Sequence, residues 1–154
     1  MRGTLRIFRT PGFEVSGIYN FLDMFLQDGG KAHLLLSDGI ILDMREIFSE
    51  DEMKRILIQR ILTSHQLERI LMDSDENPFL IIIRSEVISE WKPVALEGIY
   101  DILRIKALFR GCHIWMNVVG PSGIFEKYLG EWRFIQRQEI SERGLYAWDA
   151  QPQQ

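Results

Sequence analysis

A single cysteine, Cys112, stands in 154 residues, so no internal disulfide can form and packing alone must hold the chain. A lone thiol suits a reducing compartment, where it serves best as a small apolar side chain at the start of a strand. Basic excess is missing as well. Lys and Arg number 18 against 22 Asp and Glu, a formal charge of −4, so the electrostatic footprint of a general nucleic-acid or anionic-membrane binder is lacking. No apolar run reaches the roughly 20 residues of a membrane-spanning helix. The first thirteen residues carry Arg2, Arg6 and Arg9 where a signal peptide needs an uninterrupted apolar core. A cytoplasmic location without membrane insertion is the expectation.

The usual marks of chemistry are scarce too. There is no Cys-x-x-Cys, no His-Glu-x-x-His and no Walker loop. His33, His65 and His113 are widely separated, which suggests no metal site. The acidic run Asp73-Ser74-Asp75-Glu76-Asn77-Pro78 lacks the ligand spacing and the turn glycine that calcium requires, and reads as a solvated loop. Catalytic residues, metal and cofactor are all expected to be none.

What the chain has is apolar patterning. At 46% hydrophobic it can bury one core, which predicts a single α/β domain. Phe79 to Gly123 organises it as a β–α–β unit. Phe79-Leu80-Ile81-Ile82-Ile83 is apolar throughout, as a strand covered on both faces should be, and His113 to Val119 is nearly so. Between them Leu96, Ile99, Leu103 and Ala107 recur at helical spacing, the crossover that a parallel pair needs. The expected sheet is mixed and mainly parallel.

Upstream, Thr4 to Phe8 predicts a strand and Val15 to Gln27 an aromatic-rich helix, read as core rather than as an exposed docking face. Ala32 to Ser37 and Ile40 to Met44 flank Asp38-Gly39 and predict a hairpin. Ser49 with Glu52 forms a capping box opening a helix whose apolar face is Met53, Ile56, Leu57, Ile61 and Leu62, with a break near Thr63. Downstream, Ile124 to Leu129 predicts a short helix and Trp132 to Gln136 a last strand. The expected division is 1–31 as an N-terminal strand–helix extension packed on the domain, 32–140 as the α/β domain, and 141–154 as a tail.

Taken from about residue 32 to 136, the order resembles the STAS domain, shared by anti-sigma-factor antagonists, stressosome subunits and the cytoplasmic tails of sulfate transporters. The residues that carry the likeness are Ile40-Ile41-Leu42-Asp43-Met44 before a helix, Phe79 to Ile83 as the central strand, and Arg110-Gly111 before a strand ending Val118-Val119-Gly120-Pro121-Ser122. The resemblance implies a non-enzymatic, regulatory protein-interaction domain of signal transduction. Family members that switch partners carry a phosphorylated Ser or Thr at the start of the helix after the central strand. Here that stretch reads Glu90-Trp91-Lys92-Pro93-Val94-Ala95, so the interaction role carries over without the switch.

Two loops after predicted strand ends are the candidate sites, because open parallel sheets bind at their carboxyl ends. In Ser85–Pro93, partner binding is assigned to Ser89, Glu90, Trp91 and Lys92, with Trp91 either an interface anchor or a lid over the core. The partner is another protein of unspecified identity, with a homo-oligomer left open. The Gly120-Pro121-Ser122-Gly123 turn supports an alternative, a small enzyme or nucleotide-binding protein whose anion site uses Gly120, Ser122 and Gly123, with Ser122 or Asp43 contributing. A third reading makes the chain a structural subunit that buries the face of Val15–Gln27 against another chain.

Overall fold

The computed structural model describes residues 3–10, 22–26, 29–45, 48–74, 78–120, 135–140 and 146–150. These form a mixed α/β domain. Strands β1 (Thr4–Thr10), β2 (Ala32–Ser37), β3 (Ile56–Ile61), β4 (Phe79–Arg84), β5 (His113–Val119), β6 (Ile135–Ile140) and β7 (Tyr146–Ala150) make one sheet in the order β3-β2-β4-β5-β1-β7-β6. The first five of that order are parallel, and β7 and β6 continue antiparallel from β1.

The helices are α1 (residues 22–26), α2 (Glu50–Lys54), α3 (Ser64–Asp73), α4 (Ser85–Ser89) and α5 (Pro93–Phe109). Alternation along the strands divides the interior into two clusters. Leu35, Ile81 and Met116 join Leu67 and Leu71 of α3 and Leu96, Ile99, Leu103 and Ala107 of α5 on one face. Leu34, Leu36, Leu80 and Ile82 join Leu22 and Leu26 of α1 with Ile40, Met44 and Phe48 on the other. The sheet is thus the middle layer of three, which is why β4 reads as an unbroken apolar run. The predicted β4–α5–β5 unit is present, with parallel pairing of Phe79 to Ile114 through Arg84 to Val119.

Four expectations are corrected. The Asp38-Gly39 turn forms, with Gly39 at φ +81°, but 40–44 is not a strand and no hairpin follows. Both edges of β2 are already taken, in parallel, by β3 and β4, so no edge is left for a returning strand. The helix opened by Ser49 has its complete capping box but stops at Lys54, and Ile56–Ile61 is a strand. The N-terminal segment does more than pack on the domain, since β1 lies inside the sheet between β5 and β7. The tail is a strand as well, with Arg6 to Arg9 pairing with Asp149 to Tyr146. The predicted helix at Ile124–Leu129 lies outside the described residues, and of the predicted strand Trp132–Gln136 only Ile135 and Gln136 are described, at the start of β6.

Of the α1 residues read as core, Leu22, Met24, Phe25 and Leu26 are described, and they divide. Leu22 and Leu26 are fully buried and Phe25 is half-buried, whereas Met24 points outward and is not core.

Candidate functional site

From β2 the chain runs outward to β3, then crosses back to β4 and continues to β5. The direction of winding therefore reverses between β2 and β4, and the carboxyl ends of these two strands flank the position where open α/β sheets form a crevice. The residues there are Ser37-Asp38-Gly39 after β2 and Arg84-Ser85-Glu86 after β4. Ser37 is fully buried, and its hydroxyl accepts a 2.9 Å hydrogen bond from the Arg84 backbone N–H, tying the two strand ends together. One Arg60 guanidinium nitrogen donates to the carbonyls of Ser37 (3.1 Å) and Ile40 (2.5 Å), which fixes the turn after β2. Arg84 in turn pairs with Glu86 at 3.2 Å, and its side chain occupies the space where a Cβ on Gly39 would lie.

The end of β5 joins the same rim. Gly120 has φ +140°, and a Cβ there would collide with Ser85 Oγ. Only glycine meets both demands. The Ser85 hydroxyl is fully buried and has no hydrogen-bond partner among the described residues. Ser122 and Gly123 lie outside the described residues, and Asp43 is exposed on the loop after β2.

The stretch expected to be a loop, Ser85–Pro93, is instead a five-residue helix and a tight turn. Ser89 Oγ donates to the Glu86 carbonyl at 2.7 Å, and the N–H groups of Glu90 and Trp91 close the turn on Val87 and Ile88. Lys92 is the N-cap of α5 and Pro93 its first residue, where a missing N–H costs nothing. Trp91 is 8% exposed and belongs to the larger core cluster with Ile88 and Leu96. It therefore sits as a lid. Ser89, Glu90 and Lys92 around it are exposed, and Val94 just beyond is 73% exposed. The structure thus gathers Ser89, Glu90 and Lys92 on one turn, with Trp91 beneath them.

Sequence reasoning missed Ser37, Arg60, Arg84 and Val94. Asp38-Gly39 directly after an apolar strand was the available signal for the first three, had the turn been read as the end of a parallel strand. Val94 carried no signal, since a valine in the first turn of a helix is as consistent with burial as with exposure.

A second polar cluster lies at the opposite, amino end of the sheet. Lys106 of α5 is 4% exposed, donates to the Ser74 carbonyl at 2.5 Å and lies 5.2 Å from the centre of the Phe79 ring. His33 stacks on the same ring and bonds Gln59 and Ser74 through its two nitrogens. Every member is engaged, as buried polar groups should be. Among the described residues no group of His, Cys, Asp and Glu could hold a metal ion, and no helix is long and apolar enough to cross a membrane.

No family model matches the chain, and no curated protein matches it.

Proposed function

We propose that the chain is a non-enzymatic regulatory domain that docks another protein through the turn between α4 and α5, the role that the STAS resemblance implies. The observation that carries this reading is the division of labour around Trp91. The indole is embedded in the core and fixes the turn, while Ser89, Glu90, Lys92 and Val94 project from it. A polar rim around one exposed apolar side chain on a rigid support has the layout of an interface in miniature. Anchoring passes from Trp91 to Val94, and Glu90 with Lys92 supplies charge complementarity, which governs encounter rate and partner choice.

The test separates docking from folding. Lys92→Glu and Val94→Asp should abolish capture of a specific partner from native extract while shifting stability by no more than about 0.5 kcal/mol, as surface changes do. Trp91→Ala should instead cost about 3 to 5 kcal/mol in chemical unfolding. If both surface variants retain every partner of the native protein, this docking surface is wrong.

A second reading, an anion site at the rim of the sheet, is favoured by one observation. The buried hydroxyl of Ser85 faces the Gly120 backbone at a strand end. A nucleotide or phosphorylated metabolite that raised the thermal midpoint of the protein and of the Lys92→Glu variant alike would favour it over docking, since a ligand of the native state stabilises by mass action.

A further inference from the structure

The two outermost strands are protected very differently. In β6 the pairing is irregular between Arg137 and Ile140, and its sequence Ile-Gln-Arg-Gln-Glu-Ile carries two charges. Irregular pairing and charge are devices that keep sheet edges from joining. In β3 the sequence is Ile-Leu-Ile-Gln-Arg-Ile, pairing with β2 is unbroken over all six residues, and proline is absent. Its one charge, Arg60, is turned onto the carbonyls of Ser37 and Ile40. Leu57 and Ile58 are each 49% exposed, and Leu62 beyond them is 61% exposed.

The direction of the backbone groups follows from the ladder. Ala32 N–H donates to the Arg55 carbonyl, and Ala32 is in register with Ile56. In a parallel pair this turns residues 55, 57, 59 and 61 toward β2, so that the N–H and C=O groups of Ile56, Ile58 and Arg60 point to the open side. Among the described residues no strand pairs with them there. The row of three is symmetric about Ile58.

We propose that β3 pairs antiparallel with β3 of a second copy of this chain, about a two-fold axis through Ile58 perpendicular to the sheet. The axis places Ile58 opposite Ile58 and Ile56 opposite Arg60. Each such pair exchanges two hydrogen bonds, so about six bridge the two copies and the whole open row is satisfied. Both faces keep their sides, which sets the two Ile58 side chains together on one face and Leu57 against Gln59 on the other. Arg60 meets Ile56 rather than another cation, so no like charges oppose across the seam. An apolar edge whose one charge is held on carbonyls of its own subunit fits a copy of itself, and the result is one continuous sheet across both subunits. The seam is short. Buried area below about 1,200 Å² belongs to weak associations, which sets the expected affinity in the micromolar range.

Sedimentation of the full chain from about 1 to about 200 μM should show mass rising from 18.1 kDa toward twice that value. Ile58→Pro removes an N–H that points outward and leaves the bonds to β2 in place, so it should hold the protein monomeric with its circular dichroism unchanged. Ile58→Lys should do the same by placing two cations on the axis. Hydrogen exchange of the native chain supplies a readout that needs no variant: the Ile58 and Arg60 amides should become protected as concentration rises, while the Leu57 and Gln59 amides are protected throughout. A native chain that remains monomeric at the highest concentration with the Ile58 amide in fast exchange overturns the proposal and leaves the edge open to a foreign strand. Dimers that survive either substitution overturn it equally.

Discussion

Burial is the largest influence on the Cys112 thiol and pushes its pKa from 9.0 up to about 11, with Lys106 nearby opposing the rise. Burial likewise raises Tyr100 to about 12, and Asp101 adds to that rise while Arg104 counters it. For an acid whose folded pKa lies above the unfolded one, the unfolded chain loses its proton first. Unfolding is then favoured as pH rises, so the contribution of Cys112 is fully present below about pH 9 and lost between there and about pH 11. The urea midpoint should fall over that interval, and Cys112→Ala should flatten the fall. The native thiol should also react with an aromatic disulfide reagent only as fast as the protein opens. An immediate, stoichiometric reaction at pH 8 would show that the thiol is not buried. The same scale explains what single residues revealed of the site. Trp91 was legible as lid or anchor because a tryptophan ahead of a helix has those two uses, and only packing against Ile88 and Leu96 chooses between them. Ser37 and Arg84 were illegible, since a serine and an arginine at strand ends say nothing until the strands are neighbours.

Among elements, the Ser49 cap was read most directly, whereas Thr63, read only as a kink or break, proves to be a second cap. Ser49 and Glu52 satisfy each other's backbone groups, and Thr63 with Gln66 repeats the device at α3, where the Thr63 hydroxyl accepts from the Gln66 N–H at 3.1 Å. Thr63→Ala should cost about 1 kcal/mol of stability, read as a lower urea midpoint at constant slope. Length was not legible in the same way. Met53, Ile56, Leu57, Ile61 and Leu62 fit a helical period, yet the chain turns into β3 at Ile56. Short apolar runs satisfy either period, and an outer strand that is buried only at its two ends never displays the alternation that would reveal it. The β4–α5–β5 unit was legible because a strand covered on both faces and a long amphipathic crossover allow few alternatives. The hairpin failed for a non-local reason. The turn is real, but the availability of an edge on β2 depends on β3 and β4, which come later in the chain.

For the molecule as a whole, the mixed, mainly parallel sheet was the legible part, and the positions of its ends were not. β1 and β7 are neighbours deep in the strand order although they come from opposite ends of the sequence. A chain ended at residue 140 would lose β7, leave β6 without its partner and open the β1 edge from Arg6 to Arg9. It should unfold at a lower temperature than the full chain and scatter light on warming. Equal thermal midpoints would show that β7 contributes nothing to the sheet.

The place of β1 bears on synthesis as much as on stability. Its first residue, Thr4, meets His113 across 109 positions of sequence. At roughly 5 to 20 residues per second, β1 leaves the ribosome about 5 to 20 s before its parallel neighbour has been made. During that wait Leu5 and Ile7, which end in the core, have no sheet to enter. β1 is therefore closed long after it is made, and a nascent-chain holdase would find its target in Leu5 and Ile7.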